Sequence, residues 1–389
     1  MKKIISVLLC LVMICSFASC KKPSNVDVDT TPPVQSSENE FTKTGKEFCS
    51  QIVAGWNLGN TLDACEIWGN MPSNPTIQQQ ETAWNNPVTT QDMIDKVVDS
   101  GFNGIRIPVT WYLQVEENDD YTIKQEWLAR VKEVADYSIK AGAYTIVNMH
   151  HDDQYWLNIS ADDEEWETIK IKYQKIWEQI ADLFKDYGEK LILEGANEIT
   201  ATTEFDAGDC YNGENGSGKC WWGHNQKVFD RQNELYKIFV ETVRNSGGNN
   251  EVRYLMLPTY GAQWYDNQIN KLYVPENDNH IIMDVHWYQP NKFLKSENKW
   301  VFETMRNFAN KHNIGAILGE SGLMASASDY DKKCYGENVV GGAKEYDIPV
   351  FLWDDGGDLE ILNRQELTWN SEEYVKSVVD FAKNTKVLY

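Results

Sequence analysis

Residues 125–153 read QEWLARVKEVADYSIKAGAYTIVNMHHDD, and this stretch contains the unit from which the fold can be predicted. Its first part, 125–141, has the apolar spacing of an amphipathic helix. Its second part, Tyr144–Met149, is a short and mostly apolar run, which is typical of a strand buried on both faces of a parallel sheet. Polar residues, His150–Asp153, follow this predicted strand at once. The stretch therefore predicts a helix, a buried strand and a polar strand end in succession.

The same unit recurs along the chain. Eight apolar runs are predicted as strands, at Ile52–Leu58, Gly104–Val109, Tyr144–Met149, Leu191–Gly195, Tyr254–Pro258, Ile281–Val285, Ala316–Gly319 and Val350–Trp353. Amphipathic patterns predict helices near 91–100, 125–141, 166–187, 226–246, 298–312, 336–346 and 372–384. Eight strand–helix units indicate an α/β protein with a single (β/α)8 TIM barrel. A doubly wound open sheet is the alternative, but the sequence has no glycine-rich dinucleotide turn after the first strand and no phosphate-binding loop.

Composition excludes several classes of protein. The chain has 389 residues, of which 42% are hydrophobic, and its 15 Trp, 19 Tyr and 13 Phe exclude wholesale disorder. A formal net charge of −23 would repel a phosphate backbone, so we expect no nucleic-acid partner. Only six His and no paired CxxC motif argue against a structural zinc site. We expect a monomer that uses no metal ion and no cofactor.

The N-terminus has the pattern of an export signal. Lys2-Lys3 precedes an apolar run, Ile4–Phe17, that is too short to span a bilayer comfortably. Ala18-Ser19-Cys20 follows and resembles the lipobox of bacterial lipoproteins, in which the cysteine is lipidated. We expect an exported lipoprotein of the cell surface or outer membrane, held to the membrane only by lipid at Cys20, or alternatively a secreted protein. The expected organisation is a signal peptide at 1–19, the lipidated Cys20 with a flexible linker at 20–43, and the barrel at 44–389.

Polar, ionisable or aromatic residues lie at or just past the ends of seven of the eight predicted strands. Packing alone does not require such residues at strand ends, whereas the active sites of barrels of this type form at the carboxyl ends of the strands. The residues in question are Asn57, Arg106, His150–Asp153, Asn197-Glu198, His286–Tyr288, Glu320 and Trp353–Asp355.

Six motifs resemble those of glycoside hydrolase family 5, which belongs to a clan of retaining β-glycosidases with a (β/α)8 barrel. Their order and spacing carry the resemblance, which covers roughly residues 45–385. The motifs are GWNLGNTLDA at 55–64, GFNGIRIPVTW at 101–111, NMHHD at 148–152, EGANEI at 194–199, HWY at 286–288 and LGESG at 318–322. The sequence departs from the family at Ile199, where Pro is usual, and at Cys210–Trp222, which has no counterpart.

The resemblance implies that Glu198 is the acid/base and Glu320 the nucleophile of a retaining hydrolase. Such chemistry needs two carboxyl groups ~5–5.5 Å apart, one of which holds a proton near neutral pH while the other stays ionised. The fourth and seventh strand ends lie on opposing sides of a barrel rim, so long Glu side chains can meet across the mouth. Arg106 would bond Glu320 and keep it ionised, as Tyr288 could also do.

The remaining candidates are predicted to bind substrate. Asn197 would bond the sugar 2-hydroxyl, and Trp353 would form a platform beneath the cleaved sugar. Adjacent strand residues face opposite ways. We therefore expect His150 and His151 not to share a metal ion, and His151 to belong to either the site or the core. The full set of predicted substrate-binding residues is Asn57, Arg106, His150, His151, Asn197, His286, Tyr288 and Trp353.

The sequence favours an endo-acting β-1,4-glucanase of the cellulase type, whose partner is a β-linked polysaccharide. The same chemistry on xyloglucan, mixed-linkage glucan or mannan remains open. A surface lipoprotein that binds glycans without cutting them is a second hypothesis, although it would not need the Glu198–Glu320 pair. A metal-dependent barrel hydrolase is a third, but it would need His-x-His on the first strand, which offers only Asn57.

Overall fold

A closed barrel of eight parallel strands forms the centre of the protein. The computed structural model describes residues 41–66, 71–201, 226–288 and 295–388. The strands follow one another around the barrel in chain order, and the eighth pairs with the first. The predicted (β/α)8 barrel is confirmed. The strands are β1 Gly55–Leu58, β2 Gly104–Ile107, β3 Tyr144–Asn148, β4 Leu191–Glu194, β5 Leu255–Pro258, β6 Ile281–His286, β7 Gly315–Ser321 and β8 Val350–Asp354.

Helices alternate with the strands, as the sequence predicts. The clearest, α5, begins after Asp162, whose side chain accepts hydrogen bonds from the backbone N–H groups of Glu164 and Glu165. Its apolar stripe, which includes Trp166 and Trp177, is buried against the barrel. The helices are α1 Gly45–Cys49, α2 Ile77–Glu81, α3 Gln91–Asp99, α4 Gln125–Lys140, α5 Asp163–Phe184, α6 Gln226–Asn245, α7 Asp266–Lys271, α8 Lys295–His312, α9 Asp329–Tyr335, α10 Gly342–Glu345 and α11 Glu372–Asn384. A short hairpin, β9 Leu362–Asn363 with β10 Thr368–Trp369, follows β8.

The amino end of the barrel interior is apolar. Large side chains from six strands fill it, and helix α1 closes it with Phe48 stacked on Tyr254 at 3.8 Å between ring centroids. Gly55 leaves room for the ring of Phe351, because a Cβ atom at residue 55 would lie 2.0 Å from that ring. The six side chains are Ile146, Ile192, Met256, Ile282, Ile317 and Phe351.

The interior changes from apolar to polar two residues further along the strands. Because side chains alternate along a strand, residues two apart face the same interior. Five of these second-layer residues are polar and fully buried: Asn57, Arg106, Asn148, Glu194 and Asp284. The strands therefore place a layer of polar groups directly above the apolar layer, at their carboxyl ends.

Strand β7 departs from this alternation. Ile317 faces the interior, so a regular strand would also turn Gly319 inward and Glu320 outward. The register of β7 is irregular against both of its neighbours, β6 and β8. An irregularity of this kind re-aims a side chain. Glu320 consequently contacts Arg106 inside the barrel mouth.

Three expectations concern residues outside those that the structure describes. They are the signal peptide at 1–19, the lipidated Cys20 and the Cys210–Trp222 insertion. The ring of Phe41 lies 5.8 Å from that of Tyr254. Within the described ranges, the helices are too short or too polar to cross a bilayer.

Candidate active site

Arg106 lies at the centre of the polar layer and uses all five of its N–H donors. Nε and Nη2 donate to the two oxygens of Glu194, each at 2.7 Å. Nη1 donates to Glu320 Oε1 at 2.7 Å and to Asn57 Oδ1 at 3.0 Å, while Nη2 also donates to Asn197 Oδ1 at 2.8 Å. Burial alone would lower the pKa of Arg106, but the charges of Glu194 and Glu320 raise it well above its usual value. A permanent cation therefore holds two carboxylates in place.

Asn57 and Arg106 form hydrogen bonds with other groups of the site. Both side chains are fully buried. The amide of Asn57 donates to the carbonyl oxygens of Gly319 at 2.9 Å and Leu352 at 3.3 Å, and accepts from Arg106. These contacts position Glu320 and its strand, and substrate binding by Asn57 and Arg106 stays a prediction.

Glu198 and Glu320 face each other across the mouth of the barrel. One oxygen of each carboxylate and a nitrogen of His286 lie within 4.8 Å of one another. Both oxygens of Glu320 are held, Oε1 by Arg106 and Oε2 by the hydroxyl of Tyr288 at 3.0 Å. The Glu320 side chain is 7% exposed and that of Glu198 is 45% exposed. The carboxylate of Glu320 is thus buried and held by hydrogen bonds, whereas that of Glu198 is partly exposed.

His286 links Glu198 to a third carboxylate. Its Nδ1 lies 2.6 Å from Glu198 Oε1, and its Nε2 lies 3.1 Å from Asp284 Oδ2. Burial lowers the pKa of His286, but Glu320, Asp284 and Glu198 together raise it well above the usual value. For Glu198 the directions are reversed. Burial raises its pKa, but the hydrogen bond and charge of His286 lower that pKa more. At 2.6 Å the imidazole and the carboxylate are close enough to share one proton.

His150 is a neutral donor next to Glu320. Asn148 Oδ1 accepts a hydrogen bond from Val109 N at 3.1 Å, which turns its amide nitrogen towards His150 Nδ1 at 3.1 Å. Nδ1 accepts, so the proton of the ring lies on Nε2, 4.0 Å from Glu320 Oε1. Burial lowers the pKa of His150 well below its usual value. The ring lies nearly parallel to that of Trp353, with 5.5 Å between centroids, so both line one wall.

His150 and His151 do not follow strand alternation, which the sequence analysis had applied to them. Strand β3 ends at Asn148, so both histidines lie beyond it and their rings meet at 4.4 Å. One ring nitrogen of each histidine lies within 4.8 Å of an oxygen of Asp63. The carboxylate of Asp63 accepts the backbone N–H groups of Asn60 and Thr61, which accounts for its position. His151 therefore lies beside His150 and Asp63, and burial lowers its pKa to about 4.

The structure brings the predicted site residues together at the carboxyl end of the barrel. Asn148, Glu194 and Asp284 are further members of the network that were not predicted from the sequence, and all three lie within strands, as Asn57 and Arg106 do. A signal was available, since a charged residue inside an apolar strand is buried only at a cost unless it is paired. LILE and IIMD, at 191–194 and 281–284, carry that signal.

The comparison with protein families agrees with this geometry. Residues 68–358 match the model of a family described as cellulase (glycosyl hydrolase family 5). The chain belongs to glycoside hydrolase family 5. This confirms the resemblance found in the sequence motifs.

Two curated proteins and a solved structure are similar to most of the chain. The cellulase/esterase CelE of Acetivibrio thermocellus is 33% identical over 97% of this chain, but the chain spans about half, 47%, of that protein. Endoglucanase A of Ruminococcus albus is 33% identical over 93% of the chain and 100% of its own length. Among solved structures, a broad-specificity endoglucanase of Ruminococcus champanellensis with bound cellotriose has a TM-score of 0.77 and 33% identity, covering 87% of this chain and 98% of that one.

Proposed function

We propose that the chain is an endo-acting β-1,4-glucanase that hydrolyses its substrate with retention of configuration. The observation that carries the proposal is the approach of Glu198 and Glu320, whose nearest oxygens lie within 4.8 Å. Retaining enzymes hold their carboxyl groups ~5–5.5 Å apart, whereas inverting enzymes leave ~6.5–9.5 Å for a water molecule. The spacing supports direct attack on the sugar by one of the two carboxylates.

The surroundings of the two carboxylates support different roles for them. Glu320 receives hydrogen bonds from Arg106 and Tyr288 and is the nucleophile. It attacks the anomeric carbon while Glu198 gives a proton to the glycosidic oxygen, so that the leaving chain departs as an alcohol and a glycosyl ester forms on Glu320. Water then gives a proton to Glu198 and attacks the same carbon, which frees Glu320.

Three further side chains support the binding of a sugar next to Glu320. Asn197 Oδ1 accepts from Arg106, so its amide nitrogen is the group that can donate to the sugar 2-hydroxyl. His150 offers Nε2–H to the same subsite. Trp353 presents a ring on which the apolar face of a sugar can stack.

The choice of a β-1,4-glucan rests on the relatives. Two of them are named as a cellulase/esterase and an endoglucanase, and the solved structure of a broad-specificity endoglucanase contains cellotriose. Xyloglucan, mixed-linkage glucan and mannan are the substrates that a test must compare.

A panel of polysaccharides tests the proposed activity. We expect carboxymethylcellulose, mixed-linkage glucan and xyloglucan to yield oligosaccharides of mixed length, because an endo enzyme cuts within the chain. Proton NMR of the earliest products should find the β anomer before mutarotation. EDTA should not change the rate, since the proposed steps use carboxylates alone. Glu320→Ala, prepared in parallel, is the control. The proposal would be refuted if the wild-type protein released sugar from none of the glucans and mannans.

We also propose that the protein is exported and anchored to a membrane by lipid at Cys20. The support is the sequence pattern of residues 1–20, a basic start, an apolar run and a lipobox-like ending. In a bacterial host, the wild-type protein is expected to incorporate a palmitate analogue and to fractionate with membranes, whereas Cys20→Ser should do neither. Equal labelling of the two proteins would exclude the anchor.

A further inference from the structure

Asp284 is a fully buried carboxylate inside β6, two residues before His286. It accepts hydrogen bonds from two separate parts of the site. Oδ1 accepts from the backbone N–H of Gly319 at 2.7 Å, and Oδ2 lies 3.1 Å from Nε2 of His286. A single carboxylate thus bridges the strand of the nucleophile and the histidine that contacts the acid/base.

The contact with Gly319 replaces a regular strand pairing. Strand β7 is irregular at this point, and both backbone groups of Gly319 are bonded to side chains, the N–H to Asp284 and the carbonyl to Asn57. A Cβ atom at residue 319 would lie 2.4 Å from Asp284 Oδ1, so only glycine allows the carboxylate this close. Glu320 is the next residue. The backbone that leads into it is therefore held by Asp284 on one side and by Asn57 on the other.

The contact with His286 determines how the imidazole is used. Nε2 donates its proton to Asp284, so Nδ1 is the atom that shares a proton with Glu198 Oε1 at 2.6 Å. Several other charged or titratable groups face this pair from the surrounding strands and loops. They are Arg106 from β2, His150, His151 and Asp153 after β3, Tyr288 after β6 and Glu320 from β7. Glu194 from β4 acts on Asp284.

We propose that Asp284 is a positioning residue that aims Nδ1 of His286 at Glu198 and makes the His286–Glu198 pair retain its last proton. This inference rests on the proposed function, in which Glu198 is the acid/base. A negative charge next to an imidazole stabilises its protonated form. Asp284 therefore keeps a proton within 2.6 Å of the carboxylate that must deliver it.

An amide cannot replace this carboxylate. Asp284 faces two N–H donors, whereas the side chain of Asn has one acceptor oxygen and one NH2 group. In Asp284→Asn, either Gly319 N–H or His286 Nε2 must meet the NH2 group. If the NH2 group faces His286, the ring takes the opposite tautomer, and Nδ1–H then stands permanently against Glu198.

The direction of the pH effect follows from charge alone. Loss of a negative charge lowers the affinity of the His286–Glu198 pair for each of its protons. The pH at which the pair loses its last proton therefore falls in Asp284→Asn, by about one unit or more for charges this close. The alkaline limb of the pH profile, which reports that proton, should move to lower pH by the same amount.

NMR of the imidazole nitrogens tests the proposal without any need for activity. The chain has six His, so the His286 signals can be assigned by their loss in His286→Gln. In the wild-type protein we expect an imidazolium that persists above the usual titration range and then becomes the Nε2–H tautomer. A neutral wild-type ring with its proton on Nδ1 would overturn the proposal, even if Asp284→Asn did not fold.

A matched variant separates this role from a general effect of removing a buried carboxylate. Asp354, at the end of β8, is also fully buried and accepts hydrogen bonds from Trp56 Nε1 and the N–H of Leu362. We expect Asp284→Asn to lower the His286 titration by at least one pH unit and Asp354→Asn to leave it in place. Equal titrations in Asp284→Asn and wild type would overturn the proposal.

Activity provides a second readout that a merely structural role would not move. For an aryl β-cellobioside with a poor leaving group, Asp284→Asn should lower kcat by about 10- to 100-fold and shift the alkaline limb. With 2,4-dinitrophenolate as leaving group, which needs no proton, the alkaline limb should not shift. An equal loss for both substrates without a shift would contradict the role. Absence of turnover by the wild-type protein would refute the proposed function, and the NMR titration would still decide the role of Asp284.

Discussion

Glu320→Ala is expected to lower kcat for β-glucan hydrolysis by about 10⁵-fold, because it removes the group that forms the glycosyl intermediate. The variant keeps Arg106 and Tyr288, which in the wild-type protein donate to the two oxygens of Glu320. In the variant, the guanidinium of Arg106 and the hydroxyl of Tyr288 would face the space that the carboxylate occupied. A small anion can take that place.

Azide makes this prediction specific. With 2,4-dinitrophenyl β-cellobioside, we expect azide to restore part of the lost rate in Glu320→Ala and to give the α-glycosyl azide, since attack comes from the face of the missing carboxylate. Glu360→Ala is the control, because Glu360 bonds Asn370 outside the network and its loss should leave the rate unchanged. If azide rescued no alanine or glycine variant at residue 320, the nucleophile would have to be another residue.

Glu198→Gln is expected to lower kcat by about 10²- to 10⁴-fold for substrates whose leaving group needs a proton. The hydrogen bond to His286 and the raised pKa of that imidazole mean that the pair keeps one proton when the pH rises above the ordinary histidine value of 6.5. The wild-type rate should therefore fall only as the pH passes through this raised pKa. In Glu198→Gln the same alkaline limb should disappear, because the amide has no proton to deliver.

Leaving-group dependence checks that interpretation. Glu198→Gln should greatly lower the rate at which phenyl β-cellobioside forms the glycosyl intermediate. The rate of the same step with the 2,4-dinitrophenyl compound should fall only slightly. His286→Gln should also change the alkaline limb, since it removes the partner that shares the proton. A wild-type rate and an unchanged limb in Glu198→Gln would assign the acid to another residue.

Sequence reasoning was successful where a single rule acted on consecutive residues. Each apolar run became a strand because the chain must bury it on both faces, and the polar residues after it followed at the barrel rim. Glu198 and Glu320 were found in this way. Asp284 and Glu194 were missed because the rule treats strands as apolar, and their burial is tolerated only through partners that lie far away in the chain, Arg106 and His286.

The relative positions of His150 and His151 were not predictable from the sequence for a different reason. Alternation holds only within a strand, and β3 ends before either histidine. The end of a strand depends on the backbone conformation after it, which neighbouring elements determine. Two rings expected on opposite faces therefore meet in a T-shaped contact, with 4.4 Å between their centroids.

The sequence by itself determined the barrel, its strand order and the residues at its rim, because burial and alternation act locally and repeat eight times. The tertiary structure alone decided which groups share a proton or a charge. Arg106 meets Glu320 only because β7 is irregular, and Asp284 meets Gly319 only because that residue has no side chain. Hydrogen bonds and charges act over a few ångströms, so their partners depend on the closed barrel and not on separation along the chain.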